Sequence, residues 1–182
     1  ELTDVAVQYG GAPVVADVRL AVTRGARIAL TGRNGSGKSS LLKLIAGQDI
    51  PHTGTVRLGS GLTVSYVPQD ASFLSGSLTG YADACSVDRT LFLSILRKLD
   101  FARVQFEKDM ADYSAGQKKK VLLARSLCEQ AHLYLWDEPL NYMDVFSRMQ
   151  IEQLLLAYQP TLLFVEHDRA FCEKIATETV RL

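Results

Sequence analysis

Short apolar stretches divided by Gly, Pro and Asn fill the first third of the chain: "TDVAVQY", "VADVRLAV", "RIALTG", "GTVRLG" and "LTVSYV". That spacing predicts strands joined by turns, with an antiparallel β portion at the N-terminal end. After Gln69 the period changes. "DRTLFLSILRKL" and "QKKKVLLARSLCE" place apolar residues three and four apart, which predicts helices. "HLYLWDEP" is apolar from Leu133 to Trp136, as a central strand covered on both faces must be. "DVFSRMQIEQLLLAY" is helical again, with Asp144 as its N-cap and Pro160 closing it. "TLLFVEHD" is a second continuous apolar strand, and a last helix follows near "DRAFCEKIAT". Strands alternating with helices imply an α/β domain with a mainly parallel core sheet.

At 182 residues the chain suffices for one compact domain, 1–182, with a real core. Hydrophobic residues make up 47% and charged residues 22%, which excludes a disordered chain. Lys+Arg and Asp+Glu both number 20, so bulk charge gives no support for a nucleic-acid partner. Cys85, Cys128 and Cys172 lack metal-ligand or redox-motif spacing, and reduced cytoplasmic thiols are expected. No apolar run approaches the ~18 residues of a membrane span, and no basic-then-apolar leader opens the sequence. A membrane would therefore matter only through a partner. The chain opens at Glu1 in a strand pattern and closes on "TETVRL", another strand pattern. The expectation is a domain excised from a longer protein.

One turn carries chemistry. Gly32, Gly37, Lys38 and Ser39 fit G-x-x-x-x-G-K-[ST] between a predicted strand and a predicted helix, with Arg33, Asn34, Gly35, Ser36 and Ser40 completing the loop. Glycines let amides converge on a phosphate chain, and the new helix adds a favourable dipole. Lys38 supplies charge to the outer phosphates and Ser39 a hard oxygen for Mg²⁺. Asp137 and Glu138 end a buried strand, where ligands of open α/β sheets collect. Asp137 suits Mg²⁺ held through water, and Glu138 suits the general base for an attacking water. His167 ends the other continuous strand and can reach the γ-phosphate from the same rim. His52 and His132 are read as structural. "YSAGQKKK" opens a helix with Lys118, Lys119 and Lys120 in its first turn, where the macrodipole disfavours cations. Their presence predicts a visiting anion, from a nucleotide held by another domain.

These residues resemble the ATP-binding-cassette (ABC) nucleotide-binding domain over essentially the whole chain. Gly32–Ser39 match Walker A, Gln69 in "YVPQD" the Q-loop, and Ser114–Gln117 the signature. Leu133–Glu138 match Walker B, Asn141–Asp144 the D-loop and His167 the switch histidine. Tyr9 sits where the family stacks an aromatic on adenine. The resemblance implies a P-loop NTPase fold and ATP hydrolysis with Mg²⁺. It also implies head-to-tail pairing with a second cassette, in which Ser114, Gly116 and Gln117 complete the partner's site. Gln69 and Glu138 would be catalytic with His167, and Ser39, Gln69 and Asp137 would hold the metal. Ala115 replaces a signature glycine, and Tyr113 replaces a leucine.

Gln69 and Ser114 lie only 45 positions apart, which implies a short helical insert, placed at about 75–130. That compactness, "SAGQKKK" and "DEPLNYMDVFSRMQIEQLL" resemble the ABC-F branch, and most of all the second cassette of Vga/Lsa-type antibiotic-resistance proteins, which protect ribosomes. Three functions stand open at this point. The first is an ATPase cassette acting on the ribosome, the second the ATPase subunit of an ABC transporter, and the third a nucleotide sensor without turnover.

Overall fold

The computed structural model describes residues 1–182. Two N-terminal strands, β1 (Leu2–Gln8) and β2 (Pro13–Leu20), precede β3 (Arg27–Thr31) and α1 (Lys38–Ile45). Next come β4 (His52–Val56), β5 (Val64–Val67), α2 (Leu78–Ala84) and α3 (Arg89–Lys98). Two 3-10 turns, Arg103–Glu107 and Met110–Asp112, lead to α4 (Ala115–Cys128). The chain finishes with β6 (Leu133–Asp137), α5 (Val145–Tyr158), β7 (Leu162–Val165), α6 (Arg169–Ile175) and β8 (Glu178–Arg181).

The strands form two sheets. β2-β1-β4 is antiparallel, and β5-β6-β7-β3-β8 is parallel throughout. This is the mixed α/β architecture that the apolar periods imply. Alternation along the parallel strands explains how both faces are covered. Leu133, Leu135, Leu163 and Val165 pack with Leu41, Leu42 and the antiparallel sheet. Trp136, Leu162 and Phe164 pack on the opposite face with Val121, Leu122 and Ile151. Truncating a fully buried member such as Leu135 to Ala is expected to cost about 2–5 kcal/mol.

Side-chain caps fix where the helices start. Ser77 accepts from the Gly80 amide, Asp88 from Leu91, and Asp144 from Ser147. Pro160 stands just beyond α5, whose C-cap Gln159 adopts φ 44°. A polar seam joins α4 to the sheet. Trp136 Nε1 donates to Ser126 Oγ at 3.0 Å, and Ser126 Oγ lies 2.7 Å from Ser65 Oγ. Burial pushes the Cys128 and Cys172 thiols up to about 11, so both stay protonated and unreactive near neutrality. No helix is long and apolar enough to cross a membrane.

Because every core strand runs the same way, the C-terminal ends of β3, β6 and β7 share one rim. The residues just past those ends occupy the functional site.

Candidate active site

The loop after β3 is shaped to leave amides free. Gly37, at φ 85°, is the N-cap of α1, and no side chain caps the helix. A Cβ at Gly37 would sit 3.0 Å from Val15 of β2, in a backbone region that L side chains avoid. The first α1 amides consequently have no internal acceptor. Lys38 is 7% exposed, and its ammonium donates to the carbonyls of Gly32 (3.1 Å) and Arg33 (2.8 Å). The loop thus closes on its own lysine. Ser36 Oγ is buried without a partner. Free amides, a dipole and a buried cation together form an anion cradle.

Facing it, Asp137 ends β6 at 1% exposure, and neither carboxylate oxygen has a hydrogen-bond partner. Burial pushes this carboxyl above its usual range, while the neighbouring Ser39 hydroxyl and Lys119 draw it back. A buried carboxylate with unused lone pairs beside a serine hydroxyl suits a hard divalent cation. No cluster of three His, Cys, Asp or Glu side chains could hold a metal alone.

Glu138 is the meeting point of the rim. Its backbone adopts φ 47°, and its amide donates to Val165 O at 2.9 Å, which anchors the residue to β7. Gln69 Nε2 donates to its carboxylate at 2.8 Å, Asn141 Nδ2 donates to the same oxygen, and His167 Nε2 lies 3.2 Å from the other. Three loops thus supply side chains to one carboxylate. Glu138, Gln69 and His167 line an open cleft of about 520 Å³ together with Asn34, Gly35 and the stretch Gly37–Ser40. Tyr9 stands outside that lining, half exposed, with its hydroxyl donating to Ser40 Oγ at 3.0 Å. Arg33 is exposed and contributes its carbonyl to Lys38.

The start of α4 lies elsewhere: Ser114, Gly116 and Gln117 do not line the cleft. Ser114 Oγ accepts from the Gln117 amide at 3.3 Å, and the Gln117 side chain accepts from the Ser114 amide at 2.9 Å. This is a complete capping box. Gly116 is pressed on the Asn141–Asp144 turn, and a Cβ there would stand 2.2 Å from Tyr142 O.

The three lysines that follow have partners within the chain. Lys118 donates to Ser72 O (3.4 Å), and Lys119 to Pro68 O (2.8 Å) and Asp137 O (3.1 Å). Lys120 pairs with Asp144 at 2.7 Å. Carbonyl dipoles and a carboxylate offset the unfavourable helix terminus. Burial pulls the Lys119 ammonium down to about 8, against the opposing fields of Asp137, Glu138, Glu166 and Asp70.

Sequence reasoning missed three contributors. Asn141 was matched to a motif but not to the Glu138 carboxylate. Glu166 closes the apolar run "TLLFV", whereas Lys119 lies between two other lysines and carries no such signal. A charge in a buried run signals a specific partner.

Comparison with known proteins agrees with this geometry. The profile described as ABC transporter matches residues 15–141. The chain is 32% identical to the ATP-binding protein Uup of Caulobacter vibrioides, over 100% of the chain and 31% of that protein. It is 29% identical to the energy-dependent translational throttle protein EttA of Escherichia coli K12, over 97% of the chain and 33% of that protein. It therefore spans about a third of the length of the curated relatives it matches. Among solved structures, RNase-L Inhibitor superposes with a TM-score of 0.77 at 23% identity, over 99% of this chain and 36% of that one, a likeness of fold. With a phosphate loop, a strand-end acid pair and these relatives, the chain belongs to the ABC transporter family, as an ATPase cassette whose relatives are of the ABC-F type.

Proposed function

We propose that this cassette binds ATP with Mg²⁺ in the cleft above β3 and β6 and hydrolyses it with Glu138 as general base. The observation that carries the reading is the convergence of Gln69, Asn141 and His167 on Glu138, beside the uncapped start of α1. The amides of Asn34–Ser40 cradle the phosphate chain while Lys38 turns from the loop carbonyls to the outer phosphates. Tyr9, hinged to Ser40, offers a ring face to the purine. Ser39, Gln69 and, through water, Asp137 would hold Mg²⁺, which when bound neutralises charge on the outer phosphates. Glu138 accepts the proton of the attacking water as its oxygen joins the γ-phosphorus and the bond to the ADP oxygen breaks. Gln69 and Asn141 keep the carboxylate aimed, and His167 ties it to the γ-phosphate.

Ser114, Gly116 and Gln117 stand outside the cleft, so on this reading they serve a nucleotide held by a second cassette, and residues 1–182 act as one half of a pair. The relatives' greater length leaves room for that partner. The name of EttA, a translational throttle, supports the ribosome as the machine acted upon, in the cytoplasm and without insertion into a membrane. Similarity to Vga/Lsa-type proteins makes ribosome protection against antibiotics the specific form proposed. The test is co-sedimentation of the full chain with ribosomes in ATP after Glu138→Gln. Enrichment in the ribosome pellet supports the reading. Absence from it favours the transporter-subunit alternative.

A further inference from the structure

Two buried charges below the rim have no part in the chemistry described so far. Lys119 is 2% exposed and Glu166 7% exposed, one on α4 and the other at the end of β7. Charges so deeply buried are costly unless each is hydrogen-bonded, and both are. The partners follow a pattern. Lys119 donates to Pro68 O and Asp137 O, the residues immediately before Gln69 and Glu138. Glu166 accepts from the amide of Leu140 at 3.1 Å and from that of His167 at 2.8 Å. Leu140 immediately precedes Asn141. The four residues meeting at the Glu138 carboxylate thus have their backbones held, directly or one residue away, by these two side chains. Hydrogen bonds with an ionised partner are the stronger kind, suited to fixing loops that no regular ladder reaches.

We propose that Lys119 and Glu166 are positioning residues, a buried bracket that sets Gln69, Glu138, Asn141 and His167 in the geometry needed for hydrolysis. Neither side chain reaches the cleft lining, so neither is catalytic. Because Lys119 rides on α4, the bracket also links the start of that helix to the rim. A shift of α4 would move the Pro68 and Asp137 carbonyls and misalign the base. The phosphate chain is held by the amides of α1 and Lys38, which these contacts do not touch, so affinity for ATP without Mg²⁺ and turnover should separate.

The inference rests on reading the cleft as the site of ATP hydrolysis, and the test distinguishes the two. Turnover with Mg²⁺, and ATP affinity in EDTA so that the metal holders do not enter it, are measured on the full chain for the parent, Lys119→Met, Lys119→Gln and Glu166→Gln. Lys119→Met removes the donors at equal length, and kcat should fall on the order of a hundredfold, as misplacement of about 1 Å can cause. Lys119→Gln keeps a neutral donor and Glu166→Gln one acceptor, and each should lose about tenfold in kcat, with ATP affinity within about threefold of the parent in all three. Either glutamine variant keeping parent kcat overturns the bracket, as does affinity falling in step with kcat, or Lys119→Gln doing no better than a folded Lys119→Met. If Lys119→Met does not fold, the two glutamine variants decide alone. A parent chain that never turns over ATP overturns the reading of the cleft, and the bracket with it.

Discussion

Two helices of this molecule begin with motifs that advertise phosphate, and their termini are built in opposite ways. α1 starts on Gly37 with no side-chain cap and opens into the cleft. α4 starts on Ser114 with both members of a capping box engaged, and its second residue, Gly116, is packed against Tyr142 O. An uncapped terminus leaves amides with no acceptor but water or a ligand, so α1 can hold an anion as it stands. A capped terminus has satisfied two orphan donors internally, which leaves fewer amides for a ligand. The lysines sharpen the contrast. Lys38 closes the loop it serves, whereas Lys118, Lys119 and Lys120 are bound to carbonyls and a carboxylate of their own chain. A motif names the residue types, and local satisfaction decides whether an end is open or closed.

Substitutions at the two ends should therefore have different signatures. The largest effect belongs to the rim. Glu138→Gln should retain ATP and slow hydrolysis by on the order of a thousandfold, which single-turnover phosphate release will measure. Rapid release from that variant rules out the base. At the open end, Lys38→Ala should weaken ATP affinity by roughly a hundredfold, through loss of charge-assisted hydrogen bonds to phosphate. At the closed end, with residues 1–182 measured without a second cassette, Ser114→Ala should leave affinity within about twofold and cost about 1 kcal/mol of stability as the cap is lost. Equal losses of affinity at both ends would erase the distinction between them.

Gly116→Ala tests how tightly the closed end is seated. A Cβ 2.2 Å from Tyr142 O forces α4 and the Asn141–Asp144 turn apart. Denaturant unfolding should show a loss of about 1–3 kcal/mol. The smallest effect concerns Asp144. Burial would raise its carboxyl, but the Lys120 ammonium and the Ser147 donors reverse this and hold it well below the usual range. A carboxyl depressed in the folded state contributes stability above its unfolded value, near 3.8, that is lost as pH falls. Asp144→Asn keeps the cap and removes the charge. It should cost about 1 kcal/mol at neutral pH, since solvent screens the half-exposed carboxylate. The difference from the parent should shrink as pH drops below about 4. A constant difference down to pH 2 would contradict the pairing.

The elements were readable because apolar period and capping residues act locally. β3, β5, β6 and β7 follow from short apolar stretches, and Asp144 caps α5 through a bond only three residues long. The phosphate loop was readable because its parts are contiguous, and Gln69, Glu138 and His167 because each follows a recognisable strand. The lysines' partners are hidden from the sequence for the opposite reason. The dipole rule sees only the helix, while Lys118 and Lys119 find carbonyls 46 and 51 positions away in sequence. Asn141 on Glu138 was within reach, since a turn three residues long sets it, whereas Glu166 under Leu140 depends on strand pairing that no local pattern encodes.

The central claim is that the amides and lysine of the loop after β3 hold the phosphate tail of Mg·ATP. Calorimetric titration of Mg·ATP into the full chain, paired with thermal unfolding, tests it most directly. The prediction is measurable heat and a stabilisation of about 2.7 kcal/mol at nucleotide a hundredfold above Kd, both greatly reduced in Lys38→Ala. No heat and no stabilisation on well-folded parent protein would contradict the claim, as would undiminished affinity in Lys38→Ala.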